Sequence, residues 1–154
     1  MTDWHIRVDD LTGEPTRALI ALHLSGMHAT SPPESTHALD VEALQHPDIT
    51  FWSAWDDDRI AGIIALKRLD DERGELKSMR VADPFLGRGV GRMLLRHVID
   101  EARAVGLTSL WLETGTPDDF LPAQRLYESE GFVRCAPFAP YVDDPFSAFF
   151  TRAL

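Results

Sequence analysis

Short apolar runs broken by polar turns fill the chain up to Val81, and a helical apolar stripe takes over after Asp83-Pro84. His5 to Val8 alternates and predicts a first strand. Pro15 to Leu24 reads as a helix, with proline suited to the first turn and Leu19, Ile20, Leu22 and Leu24 giving an apolar surface. Gly26 to Leu39 reads as a loop, and Asp40 as the cap of a short helix through Gln45. Thr50–Trp55 and Ile60–Leu69 are strands around a polar turn at Asp56–Arg59, and Glu75–Val81 follows the turn Asp70–Gly74. A helix from Val90 to Val105 carries Val90, Leu94, Val98, Ala102 and Val105 on one stripe, and Gly106 ends it. Ser109–Glu113 is a short apolar strand, parallel to Glu75–Val81 because a helix intervenes. Pro122–Glu130 is a helix closed by Gly131, and Val133–Ala136 and Ser147–Leu154 are the last strands. The order βααβββαβαββ predicts an α/β (α+β) fold, a mixed sheet covered by helices, in one domain spanning residues 1–154.

Composition narrows the setting. The formal net charge of −10 repels a phosphate backbone, so nucleic acid is not an expected partner, while cationic amines are weakly attracted. No apolar run reaches about 18 residues, so no membrane span is expected. The N-terminus lacks a signal-peptide pattern, and a single cysteine, Cys135, has no partner for an internal disulfide; both suggest a cytoplasmic protein. His5, His23, His28, His37, His46 and His97 show no metal spacing, so no metal is expected. Trp52, Trp55 and Trp111 read as core.

The segment carrying chemistry is Val81-Ala-Asp-Pro-Phe-Leu-Gly87-Arg-Gly89-Val-Gly91-Arg92, where a strand ends, three glycines follow and a helix begins. Glycines let backbone N–H groups turn toward a ligand, and a helix N-terminus adds unsatisfied donors and partial positive charge. With Arg88 and Arg92 this describes a pyrophosphate cradle. The loop lacks the Gly-Lys-Ser/Thr of a P-loop, and Gly-x-Gly-x-Gly is not the dinucleotide fingerprint. Alone, the pattern also fits a purely structural loop.

The stretch Leu86-Gly-Arg-Gly89-Val-Gly91 resembles motif A of the GNAT (Gcn5-related) N-acetyltransferases, Arg/Gln-x-x-Gly-x-Gly/Ala, with Leu86 replacing the usual first residue. Ala123-Gln-Arg-Leu-Tyr127-Glu-Ser-Glu-Gly131-Phe132 resembles motif B, with Phe120 at its asparagine position. A narrower similarity, to YsnE-like bacterial acetyltransferases, runs through Ser31-Pro-Pro-Glu-Ser35, Thr50-Phe-Trp-Ser-Ala-Trp55, Glu75-Leu-Lys-Ser-Met-Arg80 and Leu112-Glu-Thr-Gly115. The resemblance implies the acyl-CoA N-acyltransferase fold, with six or seven strands and about four helices. It implies acetyl-CoA as co-substrate and a small-molecule or peptide amine as acceptor, and the family often forms homodimers.

By the same resemblance, Met79 and Val81 would bond the pantetheine arm through their backbones, and Gly87, Arg88, Gly89, Val90, Gly91 and Arg92 would hold the pyrophosphate. Tyr127 would protonate the leaving thiolate; otherwise it is an aromatic packed on the sheet. Glu75 would take the amine proton, with Glu113 as the alternative base. Either carboxylate has a plain reading too, Glu75 as a solvated partner of Lys77 and Glu113 as a satisfied half-buried group. The acceptor would lie among the Gly26–Leu39 loop, the hairpin near Asp56 and the Phe138–Phe146 segment, within reach of His28 and His37. The changes at Leu86 and Phe120 leave open a module that binds acyl-CoA without transferring it.

Overall fold

The computed structural model describes residues 4–32 and 39–154, with the side chains of His28 and Thr30 outside that description. Seven strands form one mixed sheet in the order β1-β2-β3-β4-β5-β7-β6. They are β1 His5–Val8, β2 Ile49–Asp56, β3 Arg59–Arg68, β4 Arg73–Val81, β5 Ser109–Gly115, β6 Val133–Arg134 and β7 Ser147–Ala153. Four helices accompany them: α1 Glu14–Thr30, α2 Val41–Leu44, α3 Val90–Ala104 and α4 Leu121–Ser129. The element order matches the one predicted from the sequence.

Local chemistry explains most boundaries. Asp40 accepts a hydrogen bond from the Ala43 N–H at 2.9 Å, which caps α2. The β2–β3 turn needs only Asp57 and Asp58, and Asp57 takes a positive φ of 52°, which a short polar side chain tolerates. The stripe Val90, Leu94, Val98 and Ala102 of α3 is buried against β3 and β4. Val105 departs from the expected stripe: it is the residue after the helix and stands 52% exposed, because the chain already turns there toward Gly106.

One expectation is corrected. The first helix does not stop at Leu24 but runs on to Thr30, so residues 26–30 are helical rather than loop. Gly26 inside it has a packing reason, since a Cβ there would lie 3.0 Å from Nη1 of Arg80. His37, most of Ser31-Pro-Pro-Glu-Ser35 and the His28 side chain fall outside the described residues. Trp52 and Trp55 are buried as expected, while Trp111 is half-buried against Phe138.

What positions the site is a fork between β4 and β5. The two strands pair in parallel only from Arg73–Leu76 to Ser109–Leu112, although β4 continues to Val81 and β5 to Gly115. On its other edge β4 carries a bulge: Ile63 faces Arg80 and Ala65 faces Lys77, so β4 holds one extra residue between them. Ser78 within the bulge has φ 57°, a strained value for a residue with a side chain. A bulge bends the strand that contains it, and here the bend coincides with the end of the β4–β5 ladder.

Candidate active site

The fork opens into a pocket of about 840 Å³, bounded by β4, β5, α1, α4 and the loop leading into α3. Met79, Val81, Gly87, Gly89, Gly91, Arg92, Glu75, Glu113 and Tyr127 all line it, so most of the predicted site residues meet in one place.

The backbone of β4 supplies one wall. The Ala82 N–H donates to the Ala61 carbonyl at 2.8 Å, toward β3. Since peptide groups alternate sides along a strand, those of Val81, and beyond one more step Met79, face the gap left by β5. Beyond Val81 the loop turns through Gly87 (φ 74°) and Gly89 (φ 89°), conformations that side chains resist. A Cβ built at either glycine meets nothing within 4 Å, so open space lies beside the loop. Among the described residues, the amides from 87 to 92 donate to no other part of the backbone, and those of Val90, Gly91 and Arg92 form the first turn of α3. Val90 contributes only its amide, because its side chain is buried in the core.

The two arginines differ from expectation. The Arg88 guanidinium stacks over Phe85 at 5.1 Å and Trp4 at 5.8 Å, and Arg88 does not line the pocket. Arg92 does line it, but its Nη1 is bound to Glu130 Oε2 at 2.6 Å and to Ser129 Oγ at 3.0 Å. The loop and the start of α3 therefore draw their positive character mainly from the amides and dipole of the helix. Leu86 is 61% exposed and brings no polar group to the position where the motif has arginine or glutamine.

Tyr127 is set by α4. Gln124 donates to the Gly115 carbonyl at 2.7 Å and ties this helix to the end of β5. The Phe120 ring lies on Gly115 so closely that a Cβ there would stand 2.4 Å from it. Phe120 thus clamps α4 to β5 by packing. The Tyr127 ring sits between Phe132 and Phe150, with centroids 5.8 and 6.3 Å away. Burial, with the nearby Glu113 adding to it, holds its phenol above the ordinary range, so the group keeps its proton at neutral pH.

The two carboxylates are not equivalent. Glu75 is 2% exposed, accepts a hydrogen bond from the Tyr141 hydroxyl and lies 3.2 Å from Lys77 Nζ. Lys77 also donates to the Tyr141 oxygen at 2.9 Å, which closes a three-membered network. Glu113 lies across the fork and has no cation within ion-pair distance among the described residues. Burial pushes its carboxyl up to about 7, with the nearby Ser147 hydroxyl and then Lys77 opposing and Glu75 and Asp144 adding to the rise. A carboxyl near 7 exchanges protons readily at neutral pH.

Sequence reasoning placed the Phe138–Phe146 segment beside the acceptor, and Tyr141 of that segment does line the pocket, but it singled out none of Tyr141, Arg80 and His23 individually. Tyr141 lies in a segment without regular structure, so no periodicity marks it. His23 faces the pocket from α1 and Arg80 from β4, while Gly26, Met27 and Ala29 reach it from the part of α1 beyond Leu24. The hairpin near Asp56 is not among the lining residues. Among the described residues no group of three His, Cys, Asp or Glu is arranged to hold a metal.

Comparison with known proteins agrees with this geometry. The model of the acetyltransferase (GNAT) family matches residues 16–132. The uncharacterized N-acetyltransferase YsnE of Bacillus subtilis is 51% identical over 150 residues, 97% of this chain and 99% of that protein. YedL of Escherichia coli, likewise an uncharacterized N-acetyltransferase, is 51% identical over 149 residues, 97% of this chain and 94% of that protein. Among solved structures, a putative acyl-CoA N-acyltransferase from Klebsiella pneumoniae superposes with a TM-score of 0.79 at 25% identity, over 98% of this chain and 97% of that one. A forked sheet with a glycine-lined helix N-terminus at its mouth, matched along nearly the full length by these relatives, places the chain in the acetyltransferase (GNAT) family.

Proposed function

We propose that the protein transfers an acetyl group from acetyl-CoA to a primary amine of a small molecule or peptide, by direct attack within a ternary complex. The observation that carries this reading is the fork itself. Its mouth presents amides at residues 87–92 that, among the described residues, donate to no other part of the backbone, and its depth presents Glu113 and Tyr127.

The coenzyme supplies an activated thioester; the chain supplies position and proton transfer. The amides from Gly87 to Arg92 suit a pyrophosphate, and the edge of β4 at Met79 and Val81 suits an extended pantetheine arm. A β4 N–H facing the gap is placed to stabilise negative charge on the carbonyl oxygen. Glu113 accepts a proton from the ammonium, directly or through water, and leaves a neutral amine. The amine nitrogen bonds to the carbonyl carbon as the carbon–sulfur bond breaks, Tyr127 gives its proton to the departing thiolate, and the proton the nitrogen sheds as the amide forms restores the Tyr127 phenol, directly or through water. Glu75 already accepts from Tyr141 and pairs with Lys77, which favours Glu113 over it as the base.

The test is thiol release from acetyl-CoA with a panel of amines. Release that depends on the amine supports the proposal. Firm coenzyme binding without release from any amine would instead indicate a module that holds acyl-CoA passively.

A further inference from the structure

We propose that the acceptor is a small amino acid-like molecule, carrying a carboxylate as well as its amine, and that Arg80 holds the carboxylate. This rests on the acetyl-transfer reading of the cleft and narrows its substrate.

The basic side chains lining the pocket are His23, Lys77, Arg80 and Arg92. Lys77 is paired with Glu75, and Arg92 with Glu130. Burial, and next the charge of Arg80, push the His23 imidazole down to about 4, so it is neutral at pH 7. Arg80 is left over. Among the described residues no carboxylate comes within 4.0 Å of its guanidinium, in contrast to Lys77 at 3.2 Å and Arg92 at 2.6 Å. A guanidinium is always charged, and a partly buried charge without a counter-ion is costly until an anion arrives. Its planar fork matches a carboxylate.

Placement separates this anion from the coenzyme's phosphates. Val81 turns its side chain toward α3, since a Cβ at Gly91 would lie 3.5 Å from Val81 Cγ2. Neighbours along a strand point to opposite faces, and Arg80 does so: its guanidinium lies against Gly26 of α1. Glu113 shares that second face. It stands opposite Phe149 in the β5–β7 register, and the Phe149 ring packs on Tyr141 at 5.6 Å, whose hydroxyl binds Glu75. The phosphate cradle is thus on the α3 side, and Arg80 is on the side of Glu113. The helix is also cut back where the guanidinium sits, because Gly26 offers no side chain there. An amine directed at Glu113 with a carboxylate on Arg80 describes an amino acid; a polyamine would place a second cation against Arg80. The acidic surface as a whole favours cationic amines, but the local charge decides what enters.

The experiment measures thiol release at saturating acetyl-CoA for amino acids and for matched amines lacking the carboxylate. The wild type is expected to favour the amino acid by about 10- to 100-fold in kcat/KM, the span of a hydrogen bond to a charged group. Arg80→Gln should erase that preference while the KM for acetyl-CoA stays unchanged, and Arg80→Lys should restore part of it. Equal use of both series by the wild type overturns the proposal. So does an Arg80→Gln enzyme that keeps the preference but loses acetyl-CoA affinity, which would assign Arg80 to the coenzyme. If neither series releases thiol although acetyl-CoA binds, the acetyl-transfer reading has failed and this one falls with it.

Discussion

Tyr141 and Glu75 stand 66 positions apart in the chain and meet through a hydrogen bond from the phenol to the carboxylate. Lys77 completes the contact from the other side, with Nζ 3.2 Å from the same Oε2. Glu75 and Lys77 keep only 3% and 11% of their side-chain surface in solvent, so each is the other's main compensation for lost hydration.

Glu75→Gln strands the buried Lys77 ammonium. Breaking a buried pair from one side costs about 3–5 kcal/mol, and we expect a loss of that size in urea denaturation. Tyr141→Phe leaves the ion pair and removes only the bridging hydroxyl, so the loss should be about 1–3 kcal/mol. The kinetic counterpart is a smaller drop in kcat for folded Glu75→Gln than for Glu113→Gln. The reverse order would make Glu75 the base.

Much of this was legible in the sequence because it is local. The turn Gly87-Arg-Gly89, the stripe of α3 and the Gly131 stop each follow from neighbouring residues. The fork was not legible from periodicity: it depends on a one-residue excess in β4, and Leu-Lys-Ser-Met-Arg reads as an ordinary strand. The orientation of Arg88 was equally hidden, since it is decided by Phe85 and Trp4, and Trp4 comes from a distant part of the chain. Charge counts predicted two arginines for the phosphates. Tertiary contacts give one of them to aromatic rings and bind the other to Glu130.

That reassignment is testable. Arg88→Ala should change coenzyme affinity by less than about threefold, because the side chain stacks outside the pocket, and a surface change of this kind is worth about 0.5 kcal/mol. Gly89→Trp should abolish coenzyme binding. It fills the open space beside the loop and forces a bulky residue to φ 89°. Isothermal titration with acetyl-CoA distinguishes the two, and retained affinity in Gly89→Trp would refute the cradle.

Tyr127→Phe removes the proposed acid while leaving the ring between Phe132 and Phe150. Turnover is expected to fall by about 10²-fold or less, the low end for one acid–base group, with the acetyl-CoA KM little changed. Unchanged turnover would remove Tyr127 from the mechanism.

Glu113 links rate and stability to pH in opposite senses. As the proposed base it must be ionised, so kcat should rise with pH and reach half its plateau near 7. Stability runs the other way. The folded carboxyl is raised from 4.5 to about 7, so the folded state binds its proton more tightly than the unfolded chain does. Its contribution is fully present below about 4.5, declines as pH rises through 7 and is constant above that. A rise of this size corresponds to about 3 kcal/mol at most. Glu113→Gln should therefore be more stable than the wild type at pH 8 and lose the pH dependence of kcat, at much reduced turnover. Urea denaturation at pH 5 and pH 8 reads the first effect: the gap between variant and wild type should widen with pH. A gap that narrows instead would mean that the folded protein favours the ionised form of Glu113, and the proton acceptor would have to be sought elsewhere in the fork.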